Sequence, residues 1–248
     1  MPDGTAVAYL YDGSFEGLLT AIYESYHKGE HPLMIFSQQE AQETLYPVRE
    51  IETDMEAAGK VEASIKKKLS NYALRLVRLC YLAAEPEREL HILRFLRLGY
   101  RVGPSVTNLL SHEMVIPVLK LARQVQREAM MYQNFARFSE YDGTLVAQIS
   151  PIHFVLPLIA PHFCDRFPSE RFLIYDDVHQ AAFVHQDGKR ELLRVEALTL
   201  PDLSAAEELY RTLWKQFYHS IAIQERINPK LRMQHMPKRY WRHMTEFL

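Results

Sequence analysis

The residues best suited to binding chemistry lie near the C-terminus, in a basic tail that covers residues 224–248. Between residues 224 and 243 there are six Lys or Arg residues and one acid. Cationic groups neutralise phosphates, and aromatic faces stack on bases at about 1–3 kcal/mol each. The pattern predicts a nucleic-acid-binding surface made of Arg226, Lys230, Arg232, Lys238, Arg239, Tyr240, Trp241 and Arg242.

The composition of the basic tail also fits a structural role. In that alternative, Tyr240 and Trp241 pack onto the core while the Lys and Arg side chains are only solvated. Asn228 followed by Pro229 is typical of a helix start, because Asn caps the free amides and proline suits the first helical position. We therefore expect a short helix from residue 229 to about residue 235, ended by Pro237.

A second group that could do chemistry lies between residues 150 and 167. His153, His162 and Asp165 carry side chains used in acid–base catalysis, and an imidazole titrates near neutral pH. These three residues are the catalytic candidates of the sequence. The alternative is that the histidines are buried, hydrogen-bonded groups that pin a loop to a sheet.

Asp12, Gly13 and Ser14 form a turn between a predicted strand and a predicted helix. Free backbone amides at a helix N-terminus bind phosphate or carboxylate groups, so this turn is a candidate anion site. The segment lacks the residues of a Walker loop and of the dinucleotide fingerprint. A structural turn that needs Gly13 explains the same residues.

Composition excludes several other function classes. The net charge is −2, so a nucleic-acid contact must come from a local patch. The two cysteines lie far apart and the eleven histidines show no ligand spacing, so we expect neither a metal nor another cofactor. The sequence shows no signal peptide or membrane span, and the cysteines are expected to be reduced thiols of a cytoplasmic protein.

The order of the predicted elements indicates an α+β protein. A strand–turn–helix unit runs from residue 6 to about Lys28 and is followed by a half-exposed strand over residues 48–53. After that strand the sequence shows helical periodicity up to about residue 139. This region includes predicted helices at residues 90–98 and 115–132. Strands follow at 145–149, 171–175, 181–185 and 191–195, with a short helix at 153–162, so this sheet should be mostly antiparallel.

The chain ends with a capping box at residues 204–207, a long helix and the basic tail. The apolar stripe of that helix runs from Leu209 or Tyr210 to Ile221 and is expected to face the core. We predict a single domain over residues 1–248, with a subdivision near residues 135–140. Residues 1–138 would then be mainly helical, and residues 139–248 would hold the sheet, the last helix and the tail.

Several blocks resemble a bacterial family of DNA metabolism proteins that carry a domain of unknown function. The blocks lie at residues 11–17, 135–138, 149–153, 156–163, 165–167, 174–176, 228–231 and 234–241, and together they span most of the chain. Such proteins resemble the N-terminal part of longer chains that end in a uracil-DNA-glycosylase-like domain. They are also encoded near a radical S-adenosylmethionine (SAM) protein of DNA modification or repair.

The resemblance implies an accessory nucleic-acid-binding protein in DNA repair or modification. Its partners would be DNA and a separate catalytic protein such as the radical SAM protein. Neither the glycosylase nor the radical SAM activity is carried over, because the residues for them are not found in this sequence. Two alternatives stay open: an enzyme that acts on a nucleotide or nucleic acid through a His/Asp/Arg pocket, and a protein–protein adaptor for the radical SAM protein.

Overall fold

The α+β class predicted from the sequence is confirmed. A computed structural model describes residues 6–40, 43–221, 223 and 228–247. Packing divides the chain into two compact units, Met1–Gln126 and Arg127–Leu248. Whether they fold as one domain or two stays a prediction.

A small parallel sheet lies at the centre of the first unit. Its strands are β1 (Ala8–Tyr11), β2 (Met34–Ser37) and β3 (Val48–Glu50), in the order β2-β1-β3. Helix α1 (Phe15–His27) follows β1, so the predicted strand–turn–helix unit is confirmed. Strand β2 was not predicted, and β3 is shorter than predicted.

Three helices continue the first unit: α2 (Met55–Lys68), α3 (Asn71–Tyr81) and α4 (Arg88–Val102). The side chains of Asp54 and Ser70 accept backbone amides at the starts of α2 and α3, which satisfies groups that otherwise lack a partner. The prediction of a helix over residues 90–98 that ends near Gly99 was wrong at its end, because α4 continues to Val102 and is capped by Gly103, whose φ is +74°. Gly99 instead serves packing, since a Cβ there would lie 2.5 Å from Leu69 Cδ2.

Helix α5 (Ile116–Phe135) contains the boundary between the units, and a five-stranded sheet follows it. The strands are β4 (Phe138–Tyr141), β5 (Thr144–Ile149), β6 (Phe172–Asp176), β7 (Ala181–Gln186) and β8 (Lys189–Arg194), paired in chain order. Each pair is antiparallel except β5–β6. The mostly antiparallel sheet is thus confirmed, with β4 as an unpredicted edge strand.

Helix α6 (Leu156–Arg166) makes the crossover that the parallel pair β5–β6 requires. It starts later than the predicted helix at residues 153–162, continues four residues beyond it to Arg166, and contains Pro161. Proline removes one backbone hydrogen bond. Burial of an apolar face that includes Leu156, Ile159 and Phe163 stabilises the helix despite that loss.

The chain closes with α7 (Ala205–Ser220), α8 (Pro229–His235) and 3-10 helices at Lys238–His243 and Thr245–Phe247. Ser204 caps α7 as predicted by accepting the amide of Glu207. The predicted inward stripe of α7 is wrong, however, because Leu213, Phe217 and Ile221 are 48%, 51% and 58% exposed.

Both cysteines are free and buried in the structure. Within the described ranges, no helix is long and apolar enough to cross a membrane.

Candidate nucleic-acid interface and adjoining polar cluster

The described part of the basic tail begins as the sequence predicts. Asn228 Oδ1 accepts the amide of Leu231 at 3.0 Å, and Pro229 occupies the first turn of α8. Pro237 then leads into the 3-10 helix Lys238–His243. Arg226, which the sequence analysis assigned to the nucleic-acid surface, lies outside the described residues.

Buried contacts fix the tail to the second unit. The Tyr240 ring is only 4% exposed and packs against the rings of Tyr132 and Phe135, with centroids 5.0 and 5.6 Å away. Met244 is fully buried. The tail is therefore held in place over most of its length after Pro237.

A buried ion pair adds to this attachment. The Glu246 carboxylate accepts hydrogen bonds from Arg137 Nη2 at 2.7 Å and Nε at 3.2 Å, and from Trp214 Nε1 at 3.3 Å. Burial alone would raise the pKa of Glu246, but these hydrogen bonds hold it below the usual range. The carboxylate is thus stabilised in its charged form.

The opposite side of the tail presents its cations to solvent. The five described Lys and Arg residues predicted to bind phosphate are all exposed: Lys230, Arg232, Lys238, Arg239 and Arg242. Trp241 is half-buried and stacks on Phe247 with centroids 4.3 Å apart. The Arg232 guanidinium lies 5.0 Å from the Trp241 ring centre, a cation–π contact that orders both side chains.

The tail also contributes to a group of polar residues around the carboxyl ends of β5 and β6. We call this group the polar cluster, and its members are Glu128, Ser150, His153, Asp176, Asp177, His179, Arg239, Arg242 and His243. Parallel strands end at the same edge of a sheet, so Ser150, after β5, lies close to Asp177, after β6. Ser150 Oγ is 2.9 Å from Asp177 Oδ2 and 2.8 Å from His243 Nε2. Arg242 Nη1 lies 3.5 Å from both Ser150 Oγ and Asp177 Oδ2.

A second pair in this cluster is built on Asp176, which is fully buried. Its Oδ1 accepts the amides of Val178 and His179, and its Oδ2 lies 2.7 Å from His179 Nδ1. The His179 ring packs near Phe154, with centroids 5.3 Å apart. A buried carboxylate on Nδ1 fixes the orientation of the imidazole.

The third part of the cluster is centred on Glu128, whose side chain is 2% exposed. Its carboxylate accepts the amides of Ile152 and His153 at 3.1 and 2.8 Å and pairs with Arg239 Nη2 at 3.2 Å. Arg239 also donates to Tyr240 Oη at 2.6 Å. The buried carboxylate therefore joins the loop after β5 to the tail.

Two histidines of this cluster are shifted toward the neutral form. Burial lowers the pKa of His153, with Arg239 and His179 acting in the same direction and Glu128 opposing. Burial also lowers the pKa of His243, with Asp177 opposing and Arg242 adding to the effect. A neutral imidazole near pH 7 can accept a proton, which general-base chemistry requires.

The contacts of Ser150 allow two proton arrangements. In one, the hydroxyl donates to Asp177 and accepts from His243 Nε2; in the other, it donates to His243. Either arrangement places a hydroxyl beside a group that can take its proton, next to a guanidinium that would attract an anion. The cluster thus contains the components of both anion binding and proton transfer.

The structure brings some of the predicted catalytic residues into this cluster and leaves others outside it. The backbone amide of His153 and the guanidinium of Arg239 both bind the Glu128 carboxylate. His162 and Asp165 lie on the exposed face of α6, where the His162 ring contacts Phe163. A catalytic role for His153, His162 and Asp165 stays a prediction, and of the three only His153 lies in the polar cluster.

The candidate anion site at Asp12–Ser14 belongs to the first unit. Asp12 Oδ1 accepts from Ser14 N and Oγ, and its Oδ2 accepts from Thr53 Oγ1 at 2.8 Å. Ser14 Oγ in turn accepts the amide of Gly17. Burial would raise the pKa of Asp12, but these hydrogen bonds lower it. A carboxylate of the protein therefore occupies part of the position that an external anion would take.

Several residues of the cluster were not identified from the sequence: Glu128, Ser150, Asp176, Asp177, His179 and His243. Polar residues directly after two apolar strands are a usable signal when the strands are parallel, because their carboxyl ends meet. The sequence did not show that β5 and β6 are parallel.

Over the ranges that the structure describes, no group of three or more His, Cys, Asp or Glu side chains is arranged to hold a metal ion.

Comparison with known proteins connects this site to a family. No curated protein matches the chain. A family described as a domain of unknown function, DUF4130, matches residues 86–246, which include α4–α8, the polar cluster and most of the basic tail. This chain therefore belongs to the DUF4130 family.

Proposed function

We propose that this protein binds nucleic acid through the basic tail, as an accessory protein in DNA repair or DNA modification. The observation that carries the proposal is the arrangement of the tail. Lys230, Arg232, Lys238, Arg239 and Arg242 are exposed, and Tyr240 and Met244 anchor the backbone that carries the last three of them. A fixed array of cations suits a phosphate backbone because less conformational entropy is lost on binding.

Within this proposal the two tail aromatics have different roles. Tyr240 is buried and positions Arg239, to which it is hydrogen-bonded. Trp241 is half-buried, and its Nε1 donates to the Met236 carbonyl at 3.0 Å. Base stacking is therefore assigned to the accessible part of Trp241 and its stacked partner Phe247, rather than to Tyr240.

The proposed protein works with a separate catalytic partner, such as a radical SAM protein or a uracil-DNA-glycosylase-like domain. The resemblance of the sequence blocks supports this part of the proposal. An exposed apolar face on α7, which includes Leu209, Leu213 and Phe217, supports contact with another protein. DNA would then lie on the tail while the partner supplies the chemistry.

A titration of labelled single- and double-stranded DNA tests the proposal. The variant Lys230→Gln/Lys238→Gln/Arg242→Gln removes three exposed charges and keeps Arg239, which compensates the buried Glu128. We expect its affinity for DNA to fall about tenfold or more, because three phosphate contacts are lost. The matched control is Lys67→Gln/Arg75→Gln/Arg123→Gln, which removes three exposed charges from the first unit.

The comparison between the two variants decides the outcome. A loss of DNA affinity in the tail variant alone supports the proposal. Equal affinities for wild type and tail variant, or equal losses in both variants, contradict binding by the tail. Co-purification of a protein partner that depends on the tail without any DNA binding would favour the adaptor alternative instead.

A further inference from the structure

A cavity of about 600 Å³ opens in the first unit, within the size range typical of small-molecule sites. It lies between the end of α1, the segment before β2, and helix α4. Its polar lining includes Tyr26, His31, Arg94, Arg97, Tyr100 and Arg101. We call it the arginine cavity.

Three arginine side chains give the arginine cavity its positive charge. Arg94, Arg97 and Arg101 are spaced three and four residues apart, so they share one face of α4. Of the described residues that line the cavity, none is Asp or Glu. None of the three arginines takes part in a salt bridge between described residues.

Arg97 is the most informative of the three. It is half-buried, and its hydrogen-bond partners are His31 Nδ1, the Glu30 carbonyl and Ser25 Oγ, none of which is a carboxylate. Its Nε is buried without a hydrogen-bond partner. Burial lowers the pKa of Arg97, and the groups that oppose this effect are Tyr26 and Tyr9. A guanidinium in such surroundings gains most from an anion, because buried charges are costly unless they are paired.

The remaining walls of the cavity are aromatic and apolar. The rings of Tyr26 and Tyr100 meet edge to face, with centroids 5.7 Å apart, and Arg97 lies 5.6 Å from the Tyr26 ring centre. Leu90, Leu93 and Met114 add an apolar wall. Such walls suit a planar ring, whereas the arginines suit a phosphate.

We propose that the arginine cavity binds a nucleoside phosphate, with the phosphate on Arg94, Arg97 and Arg101 and the base against Tyr26, Tyr100 and the apolar wall. The site is separate from the basic tail and does not depend on the function proposed for it. The same chemistry is offered by a free nucleotide and by the end of a nucleic-acid strand. The size of the cavity favours the free nucleotide.

Isothermal titration of the full-length protein tests this site with three probes: deoxyadenosine 5′-monophosphate, deoxyadenosine and inorganic phosphate. The nucleotide should bind at least about tenfold more tightly than either fragment, because only the nucleotide engages both the arginines and the rings. The variant Arg94→Gln/Arg101→Gln changes two exposed residues and should weaken nucleotide binding about tenfold or more. Its thermal midpoint without ligand should match that of the wild type.

Two controls separate this site from general electrostatics and from the tail. Lys67→Gln/Arg75→Gln removes the same charge from the same unit and should leave nucleotide affinity unchanged, as should the triple tail variant. Three results would each overturn the proposal. Phosphate and nucleotide would bind equally tightly, the cavity variant and its control would lose equal nucleotide affinity, or only the tail variant would lose nucleotide affinity. Tight competition by a short oligonucleotide with a 5′-phosphate would assign the cavity to strand ends.

Discussion

At the scale of single residues, the neutral histidines of the polar cluster link its geometry to pH. His243 has a pKa below that of an unfolded histidine, chiefly because it is buried. Below about pH 6.5 the unfolded chain therefore binds more protons at this position than the folded chain. The free energy of unfolding should therefore fall as the pH decreases below about 6.5, and it should recover when the pH is raised above that value.

We predict that His243→Gln reduces this loss of stability on acidification. Glutamine cannot be protonated, so its contribution does not change with pH, whereas its amide can still bond to Ser150. Near pH 7.5 the variant should lie within about 1 kcal/mol of the wild type. Urea unfolding between pH 5 and pH 7.5 measures both effects. An unchanged pH dependence in the variant would show that His243 does not contribute.

Residue types alone identified part of the site. His153 and the tail cations were predicted from their chemistry and local spacing, without knowledge of the fold. Ser150 and His243 were not, because they are 93 positions apart in the chain and meet through tertiary structure. Glu128 was not predicted because its place on a helical stretch gives no sign that it caps the loop at Ile152 and His153.

At the scale of elements, Glu246 attaches the end of the tail to the rest of the second unit. The Arg137 and Glu246 side chains are 26% and 3% exposed, so the pair is largely shielded from water. We predict that Glu246→Ala lowers the free energy of unfolding by about 1–3 kcal/mol, because it leaves Arg137 Nε and Nη2 and Trp214 Nε1 without this acceptor. Glu246→Gln, which retains an acceptor oxygen, should cost less than Glu246→Ala.

Denaturant midpoints of the two Glu246 variants measure the stability effect, and DNA affinity measures its consequence. The tail cations stay present in both variants, so a loss of affinity would report their position rather than their number. The control is Glu56→Ala, which removes an exposed carboxylate paired with Lys60 and should cost less stability than Glu246→Ala, because water screens the exposed pair. Equal stability of Glu246→Ala and the control would contradict the anchoring role.

The sequence predicted long elements better than short ones. The capped helices α1 and α7 and the hairpin strands carry turn and cap residues that mark their ends, and they were found near the predicted positions. Strands β2 and β4 have four residues each, too few for periodicity to distinguish them from loops. The parallel pairing of β5 and β6, which positions Ser150 beside Asp177, depends on the crossover through α6 and is not encoded in either strand.

At the scale of the whole molecule, the net charge of −2 means that long-range attraction to DNA is weak. Any strong salt dependence must therefore arise from the local array of cations. If all five described cations of the tail contact phosphates of a duplex, the logarithm of the affinity should fall with the logarithm of the salt concentration with a slope of about −4.5, which is 5 × 0.9.

We predict that the tail variant Lys230→Gln/Lys238→Gln/Arg242→Gln makes this slope shallower by about 2.7, or 0.9 for each of three lost phosphate contacts. Fluorescence anisotropy with one duplex at several salt concentrations measures the slope, and the first-unit control variant should retain the wild-type value. The slope counts contacts with phosphates, so it separates loss of these contacts from a general loss of folded protein, which would lower the affinity at every salt concentration alike. A tail variant that binds more weakly but keeps the wild-type slope would show that these three side chains support the interface without touching the phosphates.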